Sequence, residues 1–334
     1  MLGTIVLLVL SFAIVISVGY IVADRTTLLF AKIMRKRGII GLDVHKLNKP
    51  EIPEMCGLSI ITALIIGTIL LILLFPTFIR QLLAFILTVL IATLIGSIDV
   101  IRPFKATIKP LITAFACLPI FVFQTFDPYP PVPFIVHVRM PVLYFLLIPF
   151  LVTLAANAVN MIDIFNGSMA GTSMITSTSL LFCSLILGKY QIAVIYCMLT
   201  FCLLGFYKHN KYPSKVFSGD AGSLGVGAAL GAIAVIGDLE ALTLIATLPL
   251  LFNMLFSILS IGRLYERREI KERPTILLDD GSLIANKSEK APLTLTRLIV
   301  ASNSMLENDI VKCFYLLSTF SGALAVLTAF LMVI

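Results

Sequence analysis

The stretch NKYPSKVFSGDAGSLG, residues 210–225, sets one carboxylate, Asp220, among glycines and serines directly before an apolar run. Lys211 and Lys215 stand just upstream. Small residues let a backbone approach a ligand closely, a helix start favours an anion, and a lone carboxylate suits a hard cation. Together they point to a metal-bound phosphate. A second stretch, NAVNMIDIFNGSMAG, residues 157–171, carries Asn157, Asn160, Asp163 and Asn166. Asp220 with Asn160 would give Mg²⁺, or Mn²⁺ in its place, a partial oxygen shell with positions left open for a pyrophosphate.

Other ionisable residues share this habit of sitting where an apolar run begins or ends. Asp99 closes a run in GSIDV, Lys109 opens one in TIKPLI, and Arg267, Arg268, Lys271 and Arg273 follow another. Polar groups are costly in hydrocarbon, so at such ends they need water, partners or a ligand. Singly, each reads equally as a solvated helix end or a basic anchor. The three histidines, His45, His137 and His209, have no metal-binding spacing, which speaks against zinc chemistry. Neither a GxxxxGK[ST] loop nor a GxSxG elbow is present, and Gly225, Gly227 and Gly231 lie inside an apolar run, where helix packing is their expected role.

What positions these residues must be a membrane bundle. The 334 residues are 59% hydrophobic and 13% charged, with mean hydropathy +1.05. Soluble domains are about a quarter charged. A window of about 19 residues finds about ten spans, near 2–23, 57–76, 80–100, 107–126, 140–160, 168–188, 190–207, 222–237, 239–262 and 313–334. The first is too long for a signal-peptide core and reads as a retained helix. The loops 24–56, 101–109, 161–167, 208–221 and 263–312 hold 22 of the 25 Lys and Arg, leaving only Arg80, Arg139 and Lys189 opposite. That asymmetry puts these five loops and the site in the cytoplasm and both termini outside. The net charge of +7 is therefore a topological signal, and no nucleic-acid partner is implied. The proline-rich outer segment Gln124–Arg139 predicts a stiff turn or short hairpin. The six cysteines have no paired spacing and read as small hydrophobes. One all-α polytopic domain, residues 1–334, is expected.

The five inner loops resemble, in order, those of the polyprenyl-phosphate N-acetylhexosamine-1-phosphate transferases. The resemblance is carried by LDVHKLNKPEIPEMCGL, GSIDVIRPFKATIKP, NAVNMIDIFNGSMAG, NKYPSKVFSGDAGSLG and ERREIKERPTILLDDGSL. Without a histidine cluster in the last inner loop, the chain is more similar to the dolichyl-phosphate GlcNAc-1-phosphotransferases than to the bacterial phospho-MurNAc-pentapeptide transferases. The resemblance implies an integral membrane enzyme that moves HexNAc-1-phosphate from a UDP-N-acetylhexosamine to polyprenyl (dolichyl) phosphate and releases UMP. It further implies Mg²⁺ held by Asp220 and Asn160, the lipid phosphate contacted by Asp99 and Lys109, and uracil near Asn166 and Glu54. Arg273 would reach the sugar or its phosphate, while Asn157, Asp163 and Lys215 would complete the substrate site. A homodimer is compatible with this reading. One departure stands out: the second aspartate of the family's Asp-Asp pair is Val100 here.

Overall fold

In a computed structural model the described residues are 2–131, 133, 141–264 and 271–334. Their elements are α1 (Leu2–Lys36), β1 (Ile40–Leu42), β2 (Glu51–Pro53), α2 (Leu58–Leu74), α3 (Ile79–Ile101), α4 (Ile108–Ala114), α5 (Leu118–Val122), α6 (Pro141–Ile162) and α7 (Ser168–Ile186). There follow α8 (Tyr190–Asn210), α9 (Gly219–Ile236), α10 (Glu240–Ala246), α11 (Leu248–Ile261), β3 (Thr275–Leu277), β4 (Ser282–Ala285), α12 (Leu295–Ile299), β5 (Met305–Leu306) and α13 (Glu307–Val333). Each of the ten apolar runs contains helix. Among the described residues seven helices are long and apolar enough to cross a membrane, or eight if α10 and α11, bent by 72°, form one span. The helices of Leu58–Leu74 and Ile108–Val122 are shorter.

Proline explains two of the breaks. Pro119 enters the first turn of α5 and Pro249 that of α11, where a missing N–H costs nothing but the preceding helix cannot run through unchanged. Residues 132 and 134–140 of the proline-rich segment Gln124–Arg139 lie outside the described residues, as do Arg267 and Arg268. Helix α1 runs on to Lys36, well past the expected end at residue 23. Ala23, Asp24, Thr27 and Met34 remain buried along one face, so packing extends the helix beyond its apolar stretch.

At the centre stands α9, with every residue from Gly219 to Val235 buried except Asp220. Its glycines admit neighbours at backbone distance. A Cβ at Gly227 would meet the Ala155 carbonyl oxygen at 2.5 Å, so α6 packs directly on α9. From the other side, a Cβ on Gly96 of α3 would lie 2.3 Å from the Asp220 carbonyl oxygen. Small-residue contacts of this kind drive helix association in lipid, where tails are as apolar as side chains. Helices α1 and α8 pair beyond, α7 packs on α8, and α13 closes against α7 and α10.

Two small sheets decorate the loops, which the expectation of an all-α chain did not anticipate. β1 and β2 form an antiparallel hairpin in the register Gly41↔Ile52, and β3–β4–β5 form an antiparallel sheet with Ser282 opposite Leu306. The hairpin is tied to the approach of α9: Phe217 N–H donates to Pro53 O at 2.9 Å, and Cys56 N–H donates to Phe217 O at 2.9 Å. The backbone needs these partners, because a three-residue strand satisfies few of its own groups.

Candidate active site

The end of α3, the start of α4, the end of α6 and the start of α9 meet at one end of the bundle. Asp99 leaves α3 buried, with Oδ1 accepting from the Phe104 N–H at 2.7 Å. Lys109 is buried in the first turn of α4. Its Nζ lies 2.8 Å from Asp99 Oδ2 and 2.6 Å from Asp220 Oδ2. An ammonium buried between two carboxylates is compensated on both sides, the condition under which buried charge persists. Asn160, from the last turns of α6, donates through Nδ2 to Asp220 Oδ1 at 2.9 Å and to Ser223 Oγ at 2.8 Å. Both oxygens of Asp220 are thus oriented, yet its side chain remains 34% exposed.

A cavity of about 710 Å³ opens on this cluster. All five loops that the Lys/Arg asymmetry groups together contribute to its wall, through Asp43 and Glu54, Lys109, Asn166, Asp220 and Arg273 among others. Asn157, Asn160, Asp163 and Asp99 also line it. Asn157 is held by its Nδ2 donating to Thr153 O at 2.8 Å, and Asp163 accepts from Ser218 Oγ. Lys215 is the exception: it is exposed and is not among the lining residues. Val100, in place of a second aspartate, is half-buried and packs against the hydrophobic core, so only Asp99 brings a carboxylate from this turn.

Sequence reasoning overlooked several contributors. Ser218 and Ser223 hold Asp163 and Asn160, and both were visible within FSGDAGS. Asn253 joins α6 to the start of α12, donating to Met161 O at 3.1 Å and accepting from Leu295 N–H at 3.1 Å. Its signal was a lone amide in an apolar helix. Glu307 hydrogen-bonds Asn166 from the start of α13 and had no motif around it. Cys56 beside the hairpin is buried, and burial pushes its thiol up to about 12, with the Glu54 charge adding to the effect. It is poorly suited to nucleophilic work.

For a metal the donor chemistry fits Mg²⁺. Among the described residues no group of three His, Cys, Asp or Glu could hold an ion by itself. The oxygens of Asp220 and the amide of Asn160 instead form the small, oxygen-only set that Mg²⁺ uses when substrate phosphates complete its shell. The start of α9, an 18-residue helix, adds a field favourable to such anions.

Residues 82–238 match the family described as Glycosyl transferase family 4. A Saccharolobus solfataricus protein with the provisional name UDP-N-acetylglucosamine–dolichyl-phosphate N-acetylglucosaminephosphotransferase is 29% identical over 244 residues, 72% of this chain and 76% of the relative. A provisionally named glycosyltransferase of Methanocaldococcus jannaschii is 28% identical over 311 residues, 92% of this chain and 94% of its own. The phospho-N-acetylmuramoyl-pentapeptide-transferase of Clostridium kluyveri is 39% identical over 101 residues, 29% of this chain and 32% of its own. The matched segment takes in Asp99, Lys109, Asn160 and Asp220 together.

Proposed function

We propose that this protein transfers HexNAc-1-phosphate from a UDP-N-acetylhexosamine, UDP-GlcNAc first, to polyprenyl (dolichyl) phosphate, giving lipid-pyrophosphoryl-HexNAc and UMP. The observation that carries it is the Asp99–Lys109–Asp220–Asn160 cluster on the wall of a cavity that all five inner loops share. A lipid phosphate oxygen bonds to the phosphorus that carries the sugar, and the bond from that phosphorus to the oxygen bridging to the uridine phosphate breaks. UMP leaves with that oxygen. The nucleophile is ionised near neutral pH, so no strong base is required.

Two anions must meet, and charge neutralisation with positioning is the main barrier to lower. Lys109 places a fixed positive charge beside the attacking phosphate. Asp99 orients that ammonium, and the Phe104 N–H fixes Asp99 in turn. Asp220 and Asn160 would hold Mg²⁺, which supplies Lewis-acid stabilisation of phosphate oxygens when bound. Asn160 sets the carboxylate of Asp220 through its amide nitrogen, leaving its carbonyl oxygen as the atom of that amide suited to a cation. Arg273, exposed and among the residues lining the cavity, would meet sugar or phosphate. Phe150, Leu154 and Ile258 give the cavity an apolar flank, supporting entry of the isoprenoid from the bilayer.

The orientation belongs to the same proposal: about ten membrane-crossing segments, the site cytoplasmic, both termini outside. It is supported by the 22 of 25 Lys and Arg in the loops that build the cavity. The test is release of UMP from UDP-GlcNAc by the purified protein, supplied with polyprenyl phosphate and Mg²⁺. A protein that is monodisperse in detergent and releases no UMP from any UDP-N-acetylhexosamine contradicts the proposal.

A further inference from the structure

Asn253 is a lone amide in α11, among apolar residues and two serines, and it is 1% exposed. Its Nδ2 donates to Met161 O at 3.1 Å, and its Oδ1 accepts from Leu295 N–H at 3.1 Å. Both partners are backbone groups that a helix end leaves without an internal partner. Met161 is the penultimate residue of α6. The Phe165 N–H that would close its bond in a continued helix donates to Ser168 Oγ at 3.2 Å instead. Leu295 opens α12, where the first N–H groups have no carbonyl behind them. One amide therefore caps the end of one helix and the start of another. It does so in one orientation only, since the reverse would set oxygen against oxygen and N–H against N–H.

The two capped backbones carry different walls of the cavity. Asn157 and Asn160 lie in the last turns of α6, and Asn160 Nδ2 holds Asp220 Oδ1 at 2.9 Å. On the other side, Pro292, Thr294 and Thr296 line the cavity around Leu295. That side continues to Arg273. Val300 O, just past α12, accepts from Ala285 N–H of β4 at 3.3 Å. Asn286 N–H then donates to Pro274 O, and its Nδ2 to Arg273 O, both at 2.9 Å. A second side chain of α11, Ser260, accepts from Leu293 N–H through Oγ at 2.8 Å. Ser260 reaches the loop alone, whereas Asn253 reaches both walls.

We infer that Asn253 is a positioning residue for the transfer, a strut that sets the spacing between the end of α6 and the loop that carries Arg273. The inference rests on the proposed reaction, in which a cation at Asn160 and a donor at Arg273 must stand a fixed distance apart. Buried as it is, Asn253 acts through the backbones of Met161 and Leu295. An apolar side chain in its place would orphan a carbonyl and an N–H, each of which must shift to find water or a new partner. A misplacement of about 1 Å can cost a reaction roughly 100-fold, even when it starts far from the chemistry. Asn253 also lies beyond the 82–238 segment that matches the family.

The experiment measures two constants, KM for UDP-GlcNAc and the Mg²⁺ concentration for half-maximal rate, on the full-length protein in detergent. Asn253→Leu should raise both by roughly tenfold while kcat stays within about threefold of wild type. Ser260→Ala, which frees the loop alone, should raise the donor KM by about two- to fivefold and leave the Mg²⁺ constant as it was. Asn253→Asp keeps the acceptor for Leu295 but loses the amide donor to Met161. It should move the Mg²⁺ constant more than the donor KM, and it carries the test if Asn253→Leu does not fold. Folded Asn253 variants with both constants at wild-type values overturn the inference. So does a fall in kcat with both constants unmoved, the mark of a smaller active fraction and of a purely structural role. A Ser260→Ala protein that shifts both constants equally overturns it too, because the loop alone would then set both. A wild type that releases no UMP from UDP-GlcNAc sinks the functional proposal itself.

Discussion

Lys109 Nζ lies 2.6 Å from Asp220 Oδ2, although 111 residues separate the two in sequence. The contact spans the junction between α4 and α9, and the same ammonium reaches Asp99 at the end of α3. Removing the ammonium alone leaves two carboxylates facing each other. Lys109→Met is therefore expected to cost about 3 kcal/mol of stability, the low end for breaking a buried pair because Asp220 is partly solvated. Turnover should fall by roughly 100-fold or more. Adding Asp99→Asn should recover part of the stability but not the activity, as read by thermal unfolding and UMP release. A double variant no more stable than Lys109→Met would show that the two charges are not coupled.

Chelation should abolish UMP release, and Mg²⁺ should restore it. Mn²⁺ should substitute, since the donors are all oxygen. Asn160→Leu removes the amide that orients Asp220, so the Mg²⁺ concentration for half-maximal rate should rise by roughly tenfold. Metal titrations that superimpose for wild type and variant would take Asn160 out of the cation site.

Gly96→Val tests the packing that delivers Asp220 to the site. A Cβ at this position would lie 2.3 Å from the Asp220 carbonyl oxygen, and backbone cannot yield as a flexible side chain can. Overpacking is expected to destabilise by about 1–3 kcal/mol and to lower kcat through displacement of α9 from α3. Unchanged melting and unchanged kcat together would mean that these helices part without consequence.

Lys215→Ala should leave kcat unchanged and alter KM for the donor by at most about twofold, because an exposed lysine outside the cavity contributes only long-range, screened attraction. Donor kinetics at two ionic strengths check this. A tenfold loss at high salt would show that the loop before α9 closes over the substrate.

The pairing of Asp220 with Asn160 was legible in the sequence because both stand among small residues where an apolar run meets a polar loop, and lipid forces such groups to one surface. The convergence of the five loops followed from helix alternation and the placement of lysines and arginines. Glu307 was not legible: a carboxylate in a helix's first turn already has an ordinary explanation in the helix dipole, and nothing local connects it to Asn166, 141 residues earlier. Strands of two to four residues, such as β1 and β5, are too short to show a period-two pattern. The extension of α1 to Lys36 was hidden because hydropathy weighs Arg25, Lys32 and Arg35 against a span, whereas the fold places them outside a buried stripe at Ala23, Thr27 and Met34. Lys215, a basic residue beside the motif, is exposed and is not among the residues that line the cavity.

The most direct measurement is UMP release from UDP-GlcNAc by purified Asp220→Asn, with polyprenyl phosphate and saturating Mg²⁺ present. Asparagine keeps the size of the side chain and its place between Lys109 and Asn160 but removes its charge. The expected result is a protein that purifies and elutes as wild type does, with turnover reduced by at least roughly 100-fold. A variant that turns over at the wild-type rate would contradict the central claim, that the carboxylate at the head of α9 organises the cation and the two phosphates.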